Sequence, residues 1–109
     1  MTESIEVCHN ANIIHRDVKM ENFLVDVSEK DELLIKLSDF GFACKYDKTG
    51  SHHDPTTESK QCGSLYGMAP ETLQTNDYSP KIDIWALGII LYELFTNKHP
   101  FFHSDDQNE

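Results

Sequence analysis

Two short segments of the chain carry side chains that could bind a metal ion, a phosphate group and a proton. The first is HRDVKMEN at residues 15–22, and the second is DFG at residues 39–41. The first holds a carboxylate at Asp17 and an ammonium group at Lys19, and the second begins with the carboxylate of Asp39. Mg²⁺ prefers oxygen ligands and keeps water and phosphate oxygens in its shell. These residue types therefore suit phosphoryl transfer, which depends on positioning and charge neutralisation.

A third segment, APE at residues 69–71, follows in the order that protein kinases show. Asp17 and Asn22 stand at the HRDxxxxN spacing of that family, and Lys19, two residues after Asp17, is typical of its serine/threonine branch. The sequence therefore resembles a eukaryotic protein kinase of the serine/threonine type. The resemblance implies transfer of the ATP γ-phosphoryl group to a serine or threonine hydroxyl of a protein substrate, with Mg²⁺ as the metal.

The resemblance covers nearly all of the 109 residues and implies an α+β fold. This fold would be part of the C-terminal lobe of a kinase, mostly helical with a small β-hairpin. We expect one partial kinase domain over residues 1–109. Its catalytic loop would be residues 15–22, its segment from DFG to APE residues 39–71, and its central helix about residues 80–97.

The pattern of apolar residues predicts the elements around these motifs. Residues 3–12 are typical of the end of a helix. Residues 23–27 and 33–37 are apolar runs separated by the polar residues 28–32, which predicts a β-hairpin. Residues 43–62 are mostly polar and show little periodicity, which predicts a loop.

Ser79 and Pro80 predict the start of the long helix, because a hydroxyl cap followed by proline suits a helix N-terminus. Asp83 would lie in the first turn, where a negative charge is favourable. The helix is apolar on almost every side as far as about Asn97, and such helices lie at the centre of larger proteins. In 109 residues we expect part of its surface to face water.

The resemblance assigns chemical roles to residues of the first two segments. Asp17 would orient the substrate hydroxyl and accept its proton, and Lys19 would contact the γ-phosphate. Asn22 and Asp39 would bind Mg²⁺. Taken singly, these residue types also occur as solvated surface or turn residues, which is the alternative for each. The residues implied to bind the nucleotide cofactor are Lys19, Glu21, Asn22, Leu24 at the floor of the adenine pocket, Ser38 and Asp39.

Other positions are implied to have structural roles. His15 and Phe40 would pack between the two loops and the central helix, and Gly41 would give the DFG segment backbone freedom. Asp83 would accept hydrogen bonds from backbone amides of the HRD segment, which would satisfy a buried carboxylate. The alternative is that Asp83 is an ordinary acidic residue of the first helical turn.

A regulatory phosphate is implied by Arg16, which in relatives binds a phosphorylated residue of the activation segment. Thr57 and Ser59 are the nearest candidates for that modification. Ser64 would meet the catalytic aspartate. Since Arg16 is the only arginine in the chain, Glu71 of APE lacks its usual arginine partner, and it should hydrate or find another contact to avoid the cost of a buried, unpaired charge.

The segment after residue 62 departs from the family pattern. Leu65 stands where proline is usual, and Gly67 stands where tyrosine is usual. In the catalytic loop, Met20 replaces a proline. The geometry of substrate docking is therefore expected to differ from that of typical relatives.

Composition limits the classes of partner and location. The formal net charge is −10, which argues against binding nucleic acid or an anionic membrane and favours a basic protein partner. Residues 82–95 are apolar but shorter than the ~20 residues that a membrane-spanning helix needs. The N-terminal residues show no signal-peptide pattern, and the three cysteines form no CxxC pair. We expect a cytoplasmic protein, with the nucleus as the alternative.

Two features of an active kinase are not encoded in these residues. None of the five glycines forms a GxGxxG motif, and no lysine precedes Lys19. We therefore expect the N-terminal lobe to be absent. The hypothesis is a protein serine/threonine kinase, present as a piece with little or no activity alone. The alternative is a catalytically silent, kinase-like binding or decoy module.

Overall fold

The computed structural model describes residues 1–47, 63–74 and 78–102 of the chain. Within these ranges the chain forms three α-helices, two 3₁₀-helices and two antiparallel sheets of two strands each. The predicted α+β class is confirmed, with more residues in helices than in strands.

Helix α1 (Thr2–Asn10) opens the chain and buries one face. Ile5 is 2% exposed and Cys8 is 8% exposed, and both lie on this face. The helix ends two residues before the end of the predicted range 3–12. Asn12 has a φ of 56°, in the left-handed region that helices do not continue through. The chain then turns into strand β1, which is Ile13–Ile14.

The predicted hairpin is present with the predicted strand bounds. Strands β2 (Phe23–Val27) and β3 (Leu33–Leu37) pair antiparallel, with Phe23 opposite Leu37 and Val27 opposite Leu33. Ser28 closes the turn, because its N–H donates to the Glu32 carbonyl at 2.9 Å and its hydroxyl accepts the Glu32 N–H at 3.1 Å. The hairpin therefore brings the start of β2, at Phe23, next to the end of β3, at Leu37.

A fourth strand lies where the sequence predicts a loop. Strand β4 (Cys44–Lys45) pairs antiparallel with β1, and the Tyr46 N–H extends the pairing by donating to the Asn12 carbonyl at 2.7 Å. The loop prediction over residues 43–62 is therefore wrong for this strand. A two-residue strand carries no period of its own and forms only because β1 offers it a partner.

Helix α2 (Pro70–Gln74) is short, and helix α3 (Lys81–Thr96) is the long helix. The Ser79 hydroxyl accepts the Lys81 N–H at 3.2 Å and so caps the start of α3. At the other end Asn97 has a φ of 56°, as in a left-handed C-terminal cap. The helix thus lies one residue inside each end of the predicted range 80–97.

The main core joins α3 to α1, to the segment between β1 and β2, and to the hairpin. It buries Ile5, Val18, Phe23, Ala86, Leu87 and Ile90. The opposite side of α3 faces water, and Phe95 is 88% exposed, so α3 is uncovered on part of its surface, as expected. In the described part of the chain, no helix combines the length and the apolar character needed to cross a bilayer.

Candidate functional site

The HRD loop, residues 15–22, brings Asp17 and Asn22 into direct contact. It ends in a 3₁₀-helix, Met20–Asn22, in which the Asn22 N–H donates to the Lys19 carbonyl at 3.0 Å. Asn22 Nδ2 donates to the Asp17 carbonyl oxygen at 2.8 Å and to Asp17 Oδ2 at 3.2 Å. Both residues are 6% exposed. These two bonds use the amide nitrogen, so the oxygen of the Asn22 side chain remains the atom that can serve a cation.

Lys19 lies on the open side of the same carboxylate. Its Nζ is 3.7 Å from Asp17 Oδ2, and its side chain is 39% exposed. Only the lysine end of this ion pair is exposed, because the Asp17 side chain is 5% exposed. Lys19 is thus held near Asp17, and its exposed ammonium group can turn toward an incoming anion.

Ser38 ties the DFG segment, residues 39–41, to Asn22. The Ser38 N–H donates to the Asn22 carbonyl at 2.8 Å, and the Ser38 hydroxyl donates to the same oxygen at 3.0 Å. Both contacts follow from the hairpin register, which sets Phe23 opposite Leu37. Asp39 is the next residue, so its backbone lies at the end of the hairpin next to Asn22.

Asp39 itself is exposed and has a φ of 59°. Aspartate is one of the few residue types that tolerate this left-handed conformation. Its Oδ1 accepts the Gly41 N–H at 3.3 Å. The carboxylate thus points away from the core and can receive a ligand from solvent.

His15 connects the HRD loop to the DFG segment. It is completely buried. The Asp17 N–H donates to His15 Nδ1 at 3.2 Å, so the proton of the neutral ring lies on Nε2, which donates to the Ser38 carbonyl at 2.9 Å. The ring also meets Phe40 edge to face at 4.8 Å, although Phe40 is 47% exposed. With both nitrogens engaged, His15 is placed as a packing residue.

Asp83 supports the HRD loop from helix α3. It is 1% exposed. Its Oδ2 accepts the His15 N–H at 2.9 Å, and its Oδ1 accepts the Arg16 N–H at 3.0 Å. The φ of 67° at Arg16 helps to aim these two amides in one direction. Asp83 therefore does more than an ordinary acidic residue of the first turn, because the loop rests on its carboxylate.

His9 is a functional neighbour that sequence reasoning missed. Its Nε2 is 2.9 Å from Asp83 Oδ2. One signal was present in the sequence: His9 lies four residues after Ile5, on the face of α1 that Ile5 buries. A polar residue on a buried face needs a partner, and Asp83 supplies it.

Arg16 contacts two residues, one near the start of the activation segment (residues 39–71) and one just before helix α3. Its Nε donates to the Phe42 carbonyl, and its guanidinium group lies 5.0 Å from the centre of the Tyr78 ring. Cation–π contacts of this kind add a modest attraction. The two phosphorylation candidates, Thr57 and Ser59, lie outside the described residues.

Three further predicted residues lie at the surface. Leu24 is 54% exposed on the hairpin opposite Lys36, so an adenine ring placed there would still find an apolar side chain. Glu21 is exposed within the HRD loop. Glu71 is exposed in the first turn of α2. This exposure agrees with the expectation that Glu71 would hydrate or find another contact.

A groove of about 340 Å³ opens next to Lys19, between the HRD loop, the 3₁₀-helix Leu65–Gly67 and helix α3. Ser64 lines this groove and also the smaller crevice that contains Asp17. Two carboxylates, Glu21 and Glu93, lie on the walls. Sequence reasoning missed Glu93, because nothing in the apolar pattern of α3 shows which way its few polar residues face.

Gly63 lies against the HRD loop in a conformation that favours glycine. Its φ is 93°, and a Cβ added there would lie 2.6 Å from the Arg16 carbonyl oxygen. We expect Gly63→Ala to lower the free energy of unfolding by about 1–3 kcal/mol, from backbone strain alone. Urea denaturation followed by circular dichroism measures this change.

Gly88 provides the matched control for Gly63. It lies within α3, and among the described residues no atom outside its own turn of helix backbone and its two chain neighbours comes within 4 Å of an added Cβ. Gly88→Ala should raise the stability by about 0.5–1 kcal/mol, since alanine loses less entropy in a helix. Equal changes in the free energy of unfolding for the two substitutions would show that a Cβ added at Gly63 does not clash with the HRD loop.

Cys8 should make the stability depend on pH. Burial raises the pKa of its thiol above the ordinary value of 9.0, and the negative charge of Asp83 adds to this. The folded chain then holds the proton more tightly than the unfolded chain. The stabilisation is complete below about pH 9.0 and is lost as the pH rises above it. We expect urea titrations across this range to show a loss that Cys8→Ala lacks. The same dependence of the free energy of unfolding on pH in both proteins would contradict this.

The residues present fit a magnesium ion. Among the described residues, no three side chains of His, Cys, Asp or Glu come together in a metal cage. Mg²⁺ does not need such a cage, because it is commonly bound by one or two protein oxygens together with water and phosphate. The Asn22 amide oxygen and the exposed Asp39 carboxylate are ligands of this type.

Comparisons with known proteins agree with the site. Residues 1–109 match the family model of the protein kinase domain. The chain is 40% identical over 107 residues to serine/threonine-protein kinase zyg-8 of Caenorhabditis elegans, covering 98% of this chain and 13% of that protein. It is 42% identical over 100 residues to MAP kinase-activated protein kinase 2 of Oryctolagus cuniculus, covering 92% of this chain and 25% of that protein.

A solved structure is also similar. A chain in the crystal structure of the yeast RNA Pol II CTD kinase CTDK-1 complex matches with a TM-score of 0.72 and 31% sequence identity. The match covers 94% of this chain and 31% of that chain. The chain thus spans a third or less of the proteins to which it is similar, and its fold corresponds to part of theirs.

Proposed function

Because the chain belongs to the protein kinase family, we propose that it forms the catalytic-loop part of an ATP-dependent protein serine/threonine kinase. The observation that carries this proposal is the contact between Asp17 and Asn22, joined through Ser38 to the start of Asp39. One carboxylate, one amide and a second carboxylate are thereby brought to one end of the hairpin. These are the groups that phosphoryl transfer requires.

Asp17 is the proposed proton acceptor. Its Oδ2 accepts a hydrogen bond from Asn22 and lies near Lys19. Its other oxygen, Oδ1, lies on the side of Gly63, because a Cβ added to Gly63 would be 3.5 Å from it. Gly63 and Ser64 line the same crevice as Asp17, so we take Oδ1 as the oxygen that faces this crevice. When a substrate hydroxyl oxygen bonds to the γ-phosphorus, the bond from phosphorus to the ADP oxygen breaks and the hydroxyl proton passes to Asp17.

Lys19 is the proposed phosphate contact. Its ammonium group is exposed at 3.7 Å from Asp17 Oδ2 and can donate to a phosphate oxygen while that oxygen gains charge. The Asn22 amide oxygen and the Asp39 carboxylate would hold Mg²⁺. When bound, the metal neutralises charge on the phosphate oxygens.

The groove beside Lys19 is the proposed binding site for the protein substrate. It leads from Ser64 to the carboxylates of Glu21 and Glu93. Two acidic side chains in one groove favour a lysine or arginine side chain on the bound peptide. The net charge of −10 would also attract a basic substrate over a longer distance.

A silent binding module is the second candidate. It is favoured by the departures from the family pattern at Leu65 and Gly67, which alter the segment expected to dock the substrate. Against it stand the buried contacts of Asp17 and Asn22, since a chain without catalytic use has no need to retain both side chains.

A chimeric kinase separates the two candidates. Residues 1–109 of this chain replace the matching segment of MAP kinase-activated protein kinase 2, which supplies the remainder of a kinase domain. Transfer of radiolabelled phosphate from ATP to a serine-containing basic peptide is then measured. The proposal predicts transfer that depends on Asp17. A folded chimera that binds nucleotide but transfers no phosphate would favour the silent module.

A further inference from the structure

The segment that follows α3 folds back on the groove through one histidine. His99 Nε2 is 2.6 Å from the backbone carbonyl oxygen of Tyr66, which belongs to the 3₁₀-helix Leu65–Gly67. The ring lies 5.9 Å from the Tyr66 ring and 4.9 Å from the Phe102 ring. A contact 33 residues apart along the chain thus joins the end of α3 to a wall of the groove.

The local geometry favours one tautomer of the neutral His99 ring. The N–H groups of Phe101 and Phe102 both donate to His99 Nδ1, each at 3.1 Å. Pro100 has no N–H, so it does not compete for this acceptor. Because Nδ1 accepts two hydrogen bonds, it carries no proton. The proton of the neutral ring lies on Nε2, which donates to Tyr66.

The Tyr66 carbonyl does not accept either of the two hydrogen bonds that close its own 3₁₀-helix. In that turn the Gly67 N–H donates to Ser64 and the Met68 N–H donates to Leu65, at 3.2 and 3.3 Å. The bond from His99 therefore adds a restraint that the 3₁₀-helix does not provide. Tyr66 lines the groove together with Lys19, Glu21 and Glu93, so the restraint acts directly on the groove wall.

We propose that His99 is a positioning residue that fixes the groove wall by clamping the Tyr66 carbonyl with its Nε2–H. This inference rests on the proposed function only in taking the groove as the substrate site. The clamp itself is a property of the fold. Its side chain satisfies two separate sets of groups, the Phe101 and Phe102 amides through Nδ1 and the Tyr66 carbonyl through Nε2.

Two substitutions of His99 each keep one of these two sets of hydrogen bonds and remove the other. In His99→Gln, the side-chain amide nitrogen stands close to the position of Nε2 and can still donate to Tyr66. In His99→Asn, the amide oxygen stands close to the position of Nδ1 and can still accept the Phe101 and Phe102 amides, but it does not reach Tyr66. Lys98→Arg is the control, because it keeps the charge of an exposed neighbour.

Nuclear magnetic resonance of the labelled 109-residue chain tests the clamp without any activity. Long-range proton–nitrogen spectra should show the His99 proton on Nε2. His99→Asn should shift the amide signals of residues 64–67, whereas His99→Gln should shift those of Phe101 and Phe102. A proton on Nδ1, or shifts of residues 64–67 that are the same in both variants, would overturn the proposal.

Peptide binding then tests the role of the groove separately. Using a fluorescent, serine-containing, lysine-rich peptide, we expect His99→Asn to weaken binding about tenfold, as for the loss of one positioning hydrogen bond, and His99→Gln to weaken it clearly less. Equal weakening by both variants would contradict the positioning role. If the wild-type chain shows the clamp but binds no peptide, the proposed substrate groove fails and the clamp stands.

Discussion

Replacing Asp83 with alanine is expected to lower the free energy of unfolding by about 3–5 kcal/mol, because it removes one partner of a buried charged network. The substitution leaves the His15 and Arg16 amides without their acceptor, and each such buried group costs about 1–3 kcal/mol. It also removes the partner of His9. Small domains are stable by about 5–15 kcal/mol, so the variant should be close to unfolding. Urea denaturation measures the loss.

Two variants control this result. Asp83→Asn keeps one acceptor oxygen and should cost clearly less than alanine. Asp26→Ala removes a carboxylate that is 60% exposed and lies 3.5 Å from Lys36 Nζ, and such surface pairs are worth about 0–1 kcal/mol. If Asp83→Ala cost no more than Asp26→Ala, the HRD loop would not depend on helix α3.

Asp17→Asn is expected to reduce the kcat of the chimeric kinase by about 10²–10⁴-fold, the usual contribution of a positioned general base. Asparagine has nearly the same shape and can still accept the hydrogen bond that Asn22 Nδ2 gives to Oδ2. The fold and the KM for ATP should therefore change little. Steady-state kinetics with a basic peptide separate the two parameters.

The matched control for Asp17 is Asp26→Asn, on the exposed part of the hairpin. It makes the same chemical change and should leave kcat within about twofold, because surface substitutions of this kind have small effects. A rise in KM with a kcat equal to that of the unsubstituted chimera would mean that Asp17 only binds and does not accept the proton.

Local patterns were sufficient to predict the elements that carry the site. The hairpin has the predicted strands because two apolar runs flank a polar turn that Ser28 closes. Helix α3 has nearly the predicted bounds because Ser79 caps its start and Asn97 ends it in a left-handed conformation. These signals act between neighbouring residues, so they are visible in the sequence.

Long-range partners were not visible in the same way. Strand β4 forms only because β1 pairs with it, and the contact of His9 with Asp83 spans 74 residues. The clamp of His99 on Tyr66 is of the same kind. A histidine in a polar segment gives no sign of which carbonyl it will meet, since tertiary packing makes that choice.

In the proposed function, Asn22 and Asp39 hold the metal of a nucleotide beside Asp17. The most direct test is a crystal structure of the chimeric kinase with Mn²⁺ and a non-hydrolysable ATP analogue, in which the anomalous signal locates the metal. We expect metal density about 2.1 Å from both the Asn22 amide oxygen and an Asp39 carboxylate oxygen, as hard oxygen ligands require. Metal density bound to the phosphates but out of reach of both side chains would contradict it.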